Sequence, residues 1–431
     1  MKGTGWSTCL DVTVGGEGIV SHAGLVLLRQ LADRTGLTGG LSKALTSPRL
    51  LVHDRGQVVA DLGVAIAGGA EVISDFAVLG AQRDLYGLVA SVPTAWRTLD
   101  EIAVAGPRAL SGITAAVNAA RRAIPGIRIA DRVLEGVTCI RLDATVVPAH
   151  SDKQGAEPNF KGFGHHPLLA YCDNTAEPLA GMLRRGSAGS NTTIDHLRVL
   201  DEAITALPPK HRRRLMVTAD GAGASHGLIT RLDQLASRPG HQLIYSVGWE
   251  LSARERQAIT LVPAQAWQIA LDHHSQLRQR RADQACADHG CAHARCWIEQ
   301  AHVTELTGLL RGGPAGDQLA GWPERMRVFA RRERPHPGAQ LTLFEAADGW
   351  RYSLWVTNLP TGLRGWQANP AYIDATHRVH ARVEDASAPA KTAASPGCPP
   401  TRWPSTPHGW PPRSSPPPCW PGSPNLPSTA T

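Results

Sequence analysis

A chain of 431 residues exceeds the roughly 250–300 residues at which one hydrophobic core stops growing, so two or three structural units are expected. A 42% hydrophobic content supplies packed cores, and a formal net charge of +7 favours an anionic partner such as nucleic acid. No apolar run reaches the roughly 18–20 residues that span a bilayer, no charged-then-apolar leader opens the chain, and eight scattered cysteines do not form the framework of a small secreted domain. Membrane-spanning and disulfide-scaffold classes are thereby excluded, and a soluble cytoplasmic protein is expected.

Apolar residues recur at helical spacing from about His22 to Leu45 and from about Gln57 to Leu79. Ser91-Val-Pro-Thr-Ala-Trp-Arg-Thr-Leu-Asp then supplies a proline stop and a helix carrying Arg97, either a DNA-reading helix or an ordinary bundle helix. Residues 1–135 read as a helical N-terminal region. The period changes at Val137-Thr-Cys-Ile-Arg-Leu-Asp143, which alternates like a half-buried strand ending on an acid. Strand-like segments follow at 166–173 and 178–184, and then a helix from about Thr193 to Leu207 with Ile194, Leu197, Leu200 and Ile204 on one face. Next come the strand Arg214-Leu-Met-Val-Thr-Ala-Asp220, a helix through Leu228 and Leu232, and the strand Gln242–Gly248.

Residues 136–249 therefore predict a mixed α/β sheet flanked by helices, with Asp143 and Asp220 at the ends of separate strands, where functional groups reach a shared cleft without disrupting the core. Residues 250–370 read as a β-rich insertion, with strands at 327–334, 339–345 and 350–357, and helical character returns over 371–386 with Glu384. Beyond Ala386 the composition breaks: 14 of the 32 prolines fall in the last 45 residues. A packed core is not expected in 387–431, and the bias points to coding sequence read out of frame from about Ser387.

An acid at one strand end is ordinarily a turn former or a cap. Three that converge on one sheet edge meet a different demand, because phosphodiester chemistry on paired divalent ions uses a few hard carboxylate oxygens and leaves positions open for phosphate and water. The segments Ile140-Arg-Leu-Asp143-Ala-Thr, Val217-Thr-Ala-Asp220-Gly-Ala-Gly and His377-Arg-Val-His-Ala-Arg-Val-Glu384-Asp resemble the DDE transposases of bacterial insertion sequences, in the branch with a ribonuclease H-like core and a β-rich insertion before the last acid. That branch carries Tyr-x2-Arg-x3-Glu-x6-Lys, and the corresponding positions here are His377, His380, Glu384 and Lys391, of which the glutamate and lysine match.

The resemblance implies a DNA transposase with Asp143, Asp220 and Glu384 holding Mg²⁺ or Mn²⁺. Its partners would be double-stranded DNA, both the inverted-repeat ends and the target, bound by a homodimer. Arg378, His380 and Arg382 would hold end phosphates. A catalytically dead DNA-binding relic and a metal-dependent nuclease are the alternatives.

Other basic groups fit phosphate contact as well as solvated surface: Arg184 and Arg185 in a turn before a helix, and Arg331, Arg332 and Arg334, the last two alternating onto one strand face. The adjacent His165 and His166 follow the first strand close to its acid. Cys286, His289, Cys291, His293 and Cys296 have zinc-like composition but C-x4-C-x4-C spacing, which leaves zinc and free thiols both open.

Overall fold

The structure, a computed structural model, describes residues 22–47, 51–123, 136–149, 153–189, 192–271, 301–335, 338–360 and 369–378. Its N-terminal part is helical: α1 (Val26–Arg34), α2 (Leu37–Ala44), α3 (Arg55–Ala67), α4 (Ala77–Gly80), α5 (Arg83–Tyr86), α6 (Val92–Ala105) and α7 (Pro107–Ala123). The first predicted helical stretch is broken at Gly36, whose φ of 76° starts a new helix. Asp54 caps α3 by accepting from the Gln57 amide at 2.9 Å. Val26, Val58, Phe76, Leu79 and Tyr86 close a core of this region's own.

The rest is built on one nine-stranded sheet of order β6-β5-β1-β7-β8-β12-β11-β10-β9, whose first members are β1 (Thr138–Ala144), β5 (Leu168–Cys172), β6 (Glu177–Met182), β7 (Arg214–Ala219) and β8 (Gln242–Trp249). β1, β7 and β8 run parallel, while β5 and β6 are antiparallel neighbours on the outer side of β1. This half, with α8 (Thr193–Ala206) on β5 and β6 and α9 (His226–Ala236) on β8, is the ribonuclease H-like arrangement. Alternation explains the layering. Ile140 and Leu142 of β1, Leu215, Val217 and Ala219 of β7, and Tyr245 and Val247 of β8 all turn into one core with Val199, Leu200, Leu228 and Leu232 of the helices. Each buried aliphatic side chain there contributes about 1.5–3 kcal/mol. On α8 the buried stripe is His196, Val199, Leu200 and Ala203, whereas Ile194, expected on that stripe, is exposed.

The β-rich segment does not form a separate sheet. β9 (Gln268–Ile269), β10 (Ala301–Glu305), β11 (Arg327–Glu333) and β12 (Arg351–Thr357) are antiparallel throughout and extend the main sheet, with β12 pairing directly on β8. Nor is 339–345 a strand: Thr342 caps α12 (Leu343–Asp348), and Glu345 reaches back to the Thr342 amide at 3.0 Å, a reciprocal capping box that outcompetes the alternating apolar pattern. Before it come α10 (Ala253–Thr260), opened by a similar Ser252 and Glu255 box, and α11 (Thr307–Gly312); α13 (Pro370–Arg378) follows β12. A small sheet of β2 (Val147–Pro148), β3 (Glu157–Asn159) and β4 (Gly162–His165) lies between β1 and β5 in sequence. No helix among the described residues is long and apolar enough to cross a membrane.

Candidate active site

Sheet register brings the chain positions of two of the three predicted acids next to each other. Leu142 of β1 stands opposite Ala219 of β7 in a parallel pair. The next residues along are Asp143, still in β1, and Asp220, one residue past the end of β7, on neighbouring strands that lie about 4.8 Å apart. Both are half-buried. Alternation turns Asp143 away from α8 and α9, because Ile140 and Leu142 occupy the helical side.

The surroundings tune this edge. Arg141, one pleat before Asp143, is buried and turns its guanidinium to Asp173. Tyr171, opposite Arg141 on β5, has its phenol pushed up by burial and secondarily by the Asp143 charge, so it stays protonated at neutral pH. Asp220 leads into a tight turn at Gly221–Gly223. Ser225 then caps α9, accepting from the Leu228 amide at 3.3 Å. Gly248 of β8 backs that turn so closely that a Cβ there would lie 2.4 Å from the Gly221 nitrogen and 2.7 Å from the Asp220 carbonyl carbon.

Helix α13 packs on the same face. His377 Nδ1 and Ser246 Oγ lie 2.9 Å apart, and the His377 ring stacks on Trp355 at 5.0 Å and 6°. Ser246 is opposite Thr218, two residues before Asp220. Asp374, wholly buried, accepts from Arg331 at 2.8 Å and from Arg378 at 2.9 Å, and Arg378 also donates to the Leu271 carbonyl at 2.6 Å. Glu384, His380 and Arg382 lie outside the described residues, as do Cys286, His289, Cys291, His293 and Cys296. Among the described residues, no group of three or more His, Cys, Asp or Glu converges.

The predicted phosphate-binding arginines divide. Arg184 and Arg331 are buried and internally engaged: Arg184 donates to the His166 and Gly189 carbonyls at 2.9 and 3.0 Å and pairs with Asp195, while Arg331 pairs with Asp374 and Glu333. Both guanidiniums are taken up by these internal partners. Arg332 sits between Trp267 and Trp350, 4.2 and 4.6 Å from their centroids, and Arg334 lies 3.9 Å over Trp350. Arg332 pairs in register with Tyr352 and His302. It therefore points to the sheet face opposite Asp143, and Arg334 lies over Trp350 on that same face, as alternation predicts. Arg185 is the exposed member, its side chain 76% accessible and paired with Glu157 at 3.2 Å. His166 is buried, with Nδ1 2.9 Å from the Ala188 carbonyl, and His165 Nε2 lies 3.1 Å from the Gln154 carbonyl.

Tyr171, Gly248 and the Ser246–His377 contact were not singled out by the sequence. Only strand register reveals them, apart from His377, which carried a signal as the counterpart of the signature tyrosine. Residues 5–393 match the profile of a family described as transposase DDE domain group 1. No curated protein matches the chain.

Proposed function

The chain belongs to the transposase DDE domain group 1 family, and on that premise we propose that it cleaves DNA at the ends of its own element and joins the freed 3′ ends to target DNA. The observation that supports this reading is that Asp143 and Asp220 each follow directly on the register-matched pair Leu142 and Ala219 of adjacent parallel strands. Two carboxylates so placed are hard oxygen donors that fit Mg²⁺ or Mn²⁺ while leaving coordination positions for phosphate and water. When bound, such ions supply charge that activates the attacking oxygen and stabilises the leaving one.

The chain's own residues do the positioning. Asp143 and Asp220 would hold the ions at the sheet edge, and those ions would supply the positive charge that draws the scissile phosphate there. Tyr171, protonated beside Asp143, keeps an O–H donor available there. Glu384, which lies outside the described residues, is the proposed third acid, seven residues after His377 in the sequence. In the first step a water oxygen attacks phosphorus and the 3′ oxygen leaves, taking up a proton. In the second, that 3′ hydroxyl loses its proton and attacks a target phosphodiester, and the target strand's own 3′ oxygen leaves and takes up a proton, so that one P–O bond replaces another. Paired ends bound by a homodimer give the two strand transfers a common target.

The test separates chemistry from binding. Asp143→Asn and Asp220→Asn are each expected to abolish cleavage of DNA carrying the element's terminal repeats while retaining its binding. Cleavage at the wild-type rate in either variant overturns the assignment. A binding-only relic is the second reading, favoured by the proline-rich composition after Ala386. Absence of cleavage by the wild-type chain under conditions of full DNA binding would establish it.

A further inference from the structure

The ladder that carries Asp143 does not stop at the end of β1. Asp143 is opposite Leu169 and Ala144 opposite Leu168. The same register continues through the Thr145 amide on the Pro167 carbonyl, Val147 opposite His165, Pro148 opposite Gly164, and the Ala149 amide on the Phe163 carbonyl. β1–β2 and β4–β5 therefore form one antiparallel ribbon that projects past the paired aspartates, with β3 folded back along it. His166 stands three residues, about 10 Å, along this ribbon from Leu169.

The end of this ribbon has an unusual composition. The turn between β3 and β4 is Phe160-Lys161, whereas two-residue hairpin turns favour Asn and Gly because of the backbone angles they need. Here the flanking residues meet that need: Asn159 Oδ1 accepts from the Lys161 amide at 2.9 Å, and Gly162 adopts φ 125°. The two tip residues are thus released from building the turn. Phe160 is 78% exposed, with its ring edge-on to His166 at 6.1 Å and the Lys161 ammonium 5.7 Å from its centroid. Phe163 is also exposed, and Arg185 reaches out beside the same hairpin from its pair with Glu157. Exposed aromatic rings interleaved with cations provide base stacking and phosphate attraction on one surface.

We propose that the β3–β4 hairpin is a DNA-contacting arm in which Phe160, supported by Phe163, stacks on an unpaired base a few base pairs from the scissile phosphate, while Lys161 and Arg185 hold the adjoining backbone. The occupant is DNA because the cations give the tip the complementary charge and the ribbon is continuous with the strand bearing Asp143. This assignment rests on the transposase reading for its location, but its readout is binding and needs no cleavage.

The experiment compares a blunt DNA duplex with the same duplex ending in a single-stranded fork that carries a fluorescent base analogue at the junction, both titrated with the full chain in Ca²⁺. The wild-type chain is expected to bind the fork more tightly and to quench the analogue. Phe160→Ala should reduce the fork preference by about fivefold or more, the loss of one stacked base, and abolish the quenching. Phe160→Trp should retain both, and Lys161→Ala should weaken both probes alike. Because Phe160 is exposed, neither aromatic variant threatens the fold. A wild-type chain without fork preference, a Phe160→Ala variant that keeps it, or a variant whose only change is in self-association overturns the arm. Loss of cleavage in the Asp143 and Asp220 variants bears on the catalytic reading separately.

Discussion

Gly248 shows how tightly one position can govern a neighbouring acid. Its absent side chain leaves room for the turn after Asp220, and a Cβ would fall 2.4 Å from the Gly221 nitrogen and 2.7 Å from the Asp220 carbonyl carbon. Both atoms are backbone, so no rotamer change relieves the clash. Gly248→Ala is expected to cost about 1–3 kcal/mol of stability, as overpacked sites do. It should also lower cleavage by about a hundredfold, because displacement by an ångström at a reacting centre has effects of that size. Gly312→Ala is the control, since a Cβ there meets nothing within 4 Å. Thermal unfolding and cleavage assays on the two variants check this, and a wild-type cleavage rate for Gly248→Ala would show that Asp220 tolerates the shift. Both aspartates were legible in the sequence because each ends an apolar alternating run. Gly248 was not, since nothing local says which strand lies beside it.

At the level of elements, α13 is held down by charge as much as by apolar packing. Asp374 is fully buried between Arg331 and Arg378; burial pushes its carboxyl up, and the two guanidiniums pull it down by less. Deleting one side of a buried pair leaves the other charge uncompensated, at a cost of about 3–5 kcal/mol. Asp374→Ala should therefore lower the urea midpoint far more than Arg378→Ala, whose guanidinium is one-third exposed. Combining Arg331→Met with Asp374→Leu should recover most of the loss, because an apolar pair avoids the desolvation penalty. Equal losses from Asp374→Ala and Arg378→Ala would contradict this account. Arg331 also marks a limit of sequence reading: alternation assigns Arg331 and Arg332 to opposite faces, but not which face a later helix covers. Strands β1, β5, β6, β7 and β8 and helices α8 and α9 were legible from local period alone. The continuation of the sheet into β12–β11–β10–β9 was not, because β8 finds its partner about a hundred residues downstream, at Leu354–Thr357, and periodicity is silent on pairing. The Thr342–Glu345 capping box was in the sequence, yet its apolar alternation suggested a strand.

Across the whole molecule, the helical region and the sheet close separate hydrophobic cores, bridged by contacts such as Arg121 to Glu177 at 3.5 Å. The helical core contains a charged centre of its own. Arg29, with no exposed surface, lies 2.7 Å from Asp33 and 2.6 Å from Asp61. Burial pushes the Asp61 carboxyl up from 3.8 to about 6, against the opposing pull of Arg29. For an acid whose folded value exceeds its unfolded one, the folded chain binds the proton more tightly between the two values. The linked stability is therefore fully present below about 3.8 and is lost as pH rises through about 6. Carboxylates elsewhere with lowered values, such as Glu255, act in the opposite sense, so the total pH profile mixes the two. The difference between wild type and Asp61→Asn isolates the term. On lowering the pH from about 7 to about 4, the wild-type chain should gain stability relative to Asp61→Asn, and helical signal should report the gain more strongly than a probe in the sheet. A difference that stays constant over that range would mean that Arg29 holds Asp61 ionised throughout. The helical core would then be insensitive to pH over that range.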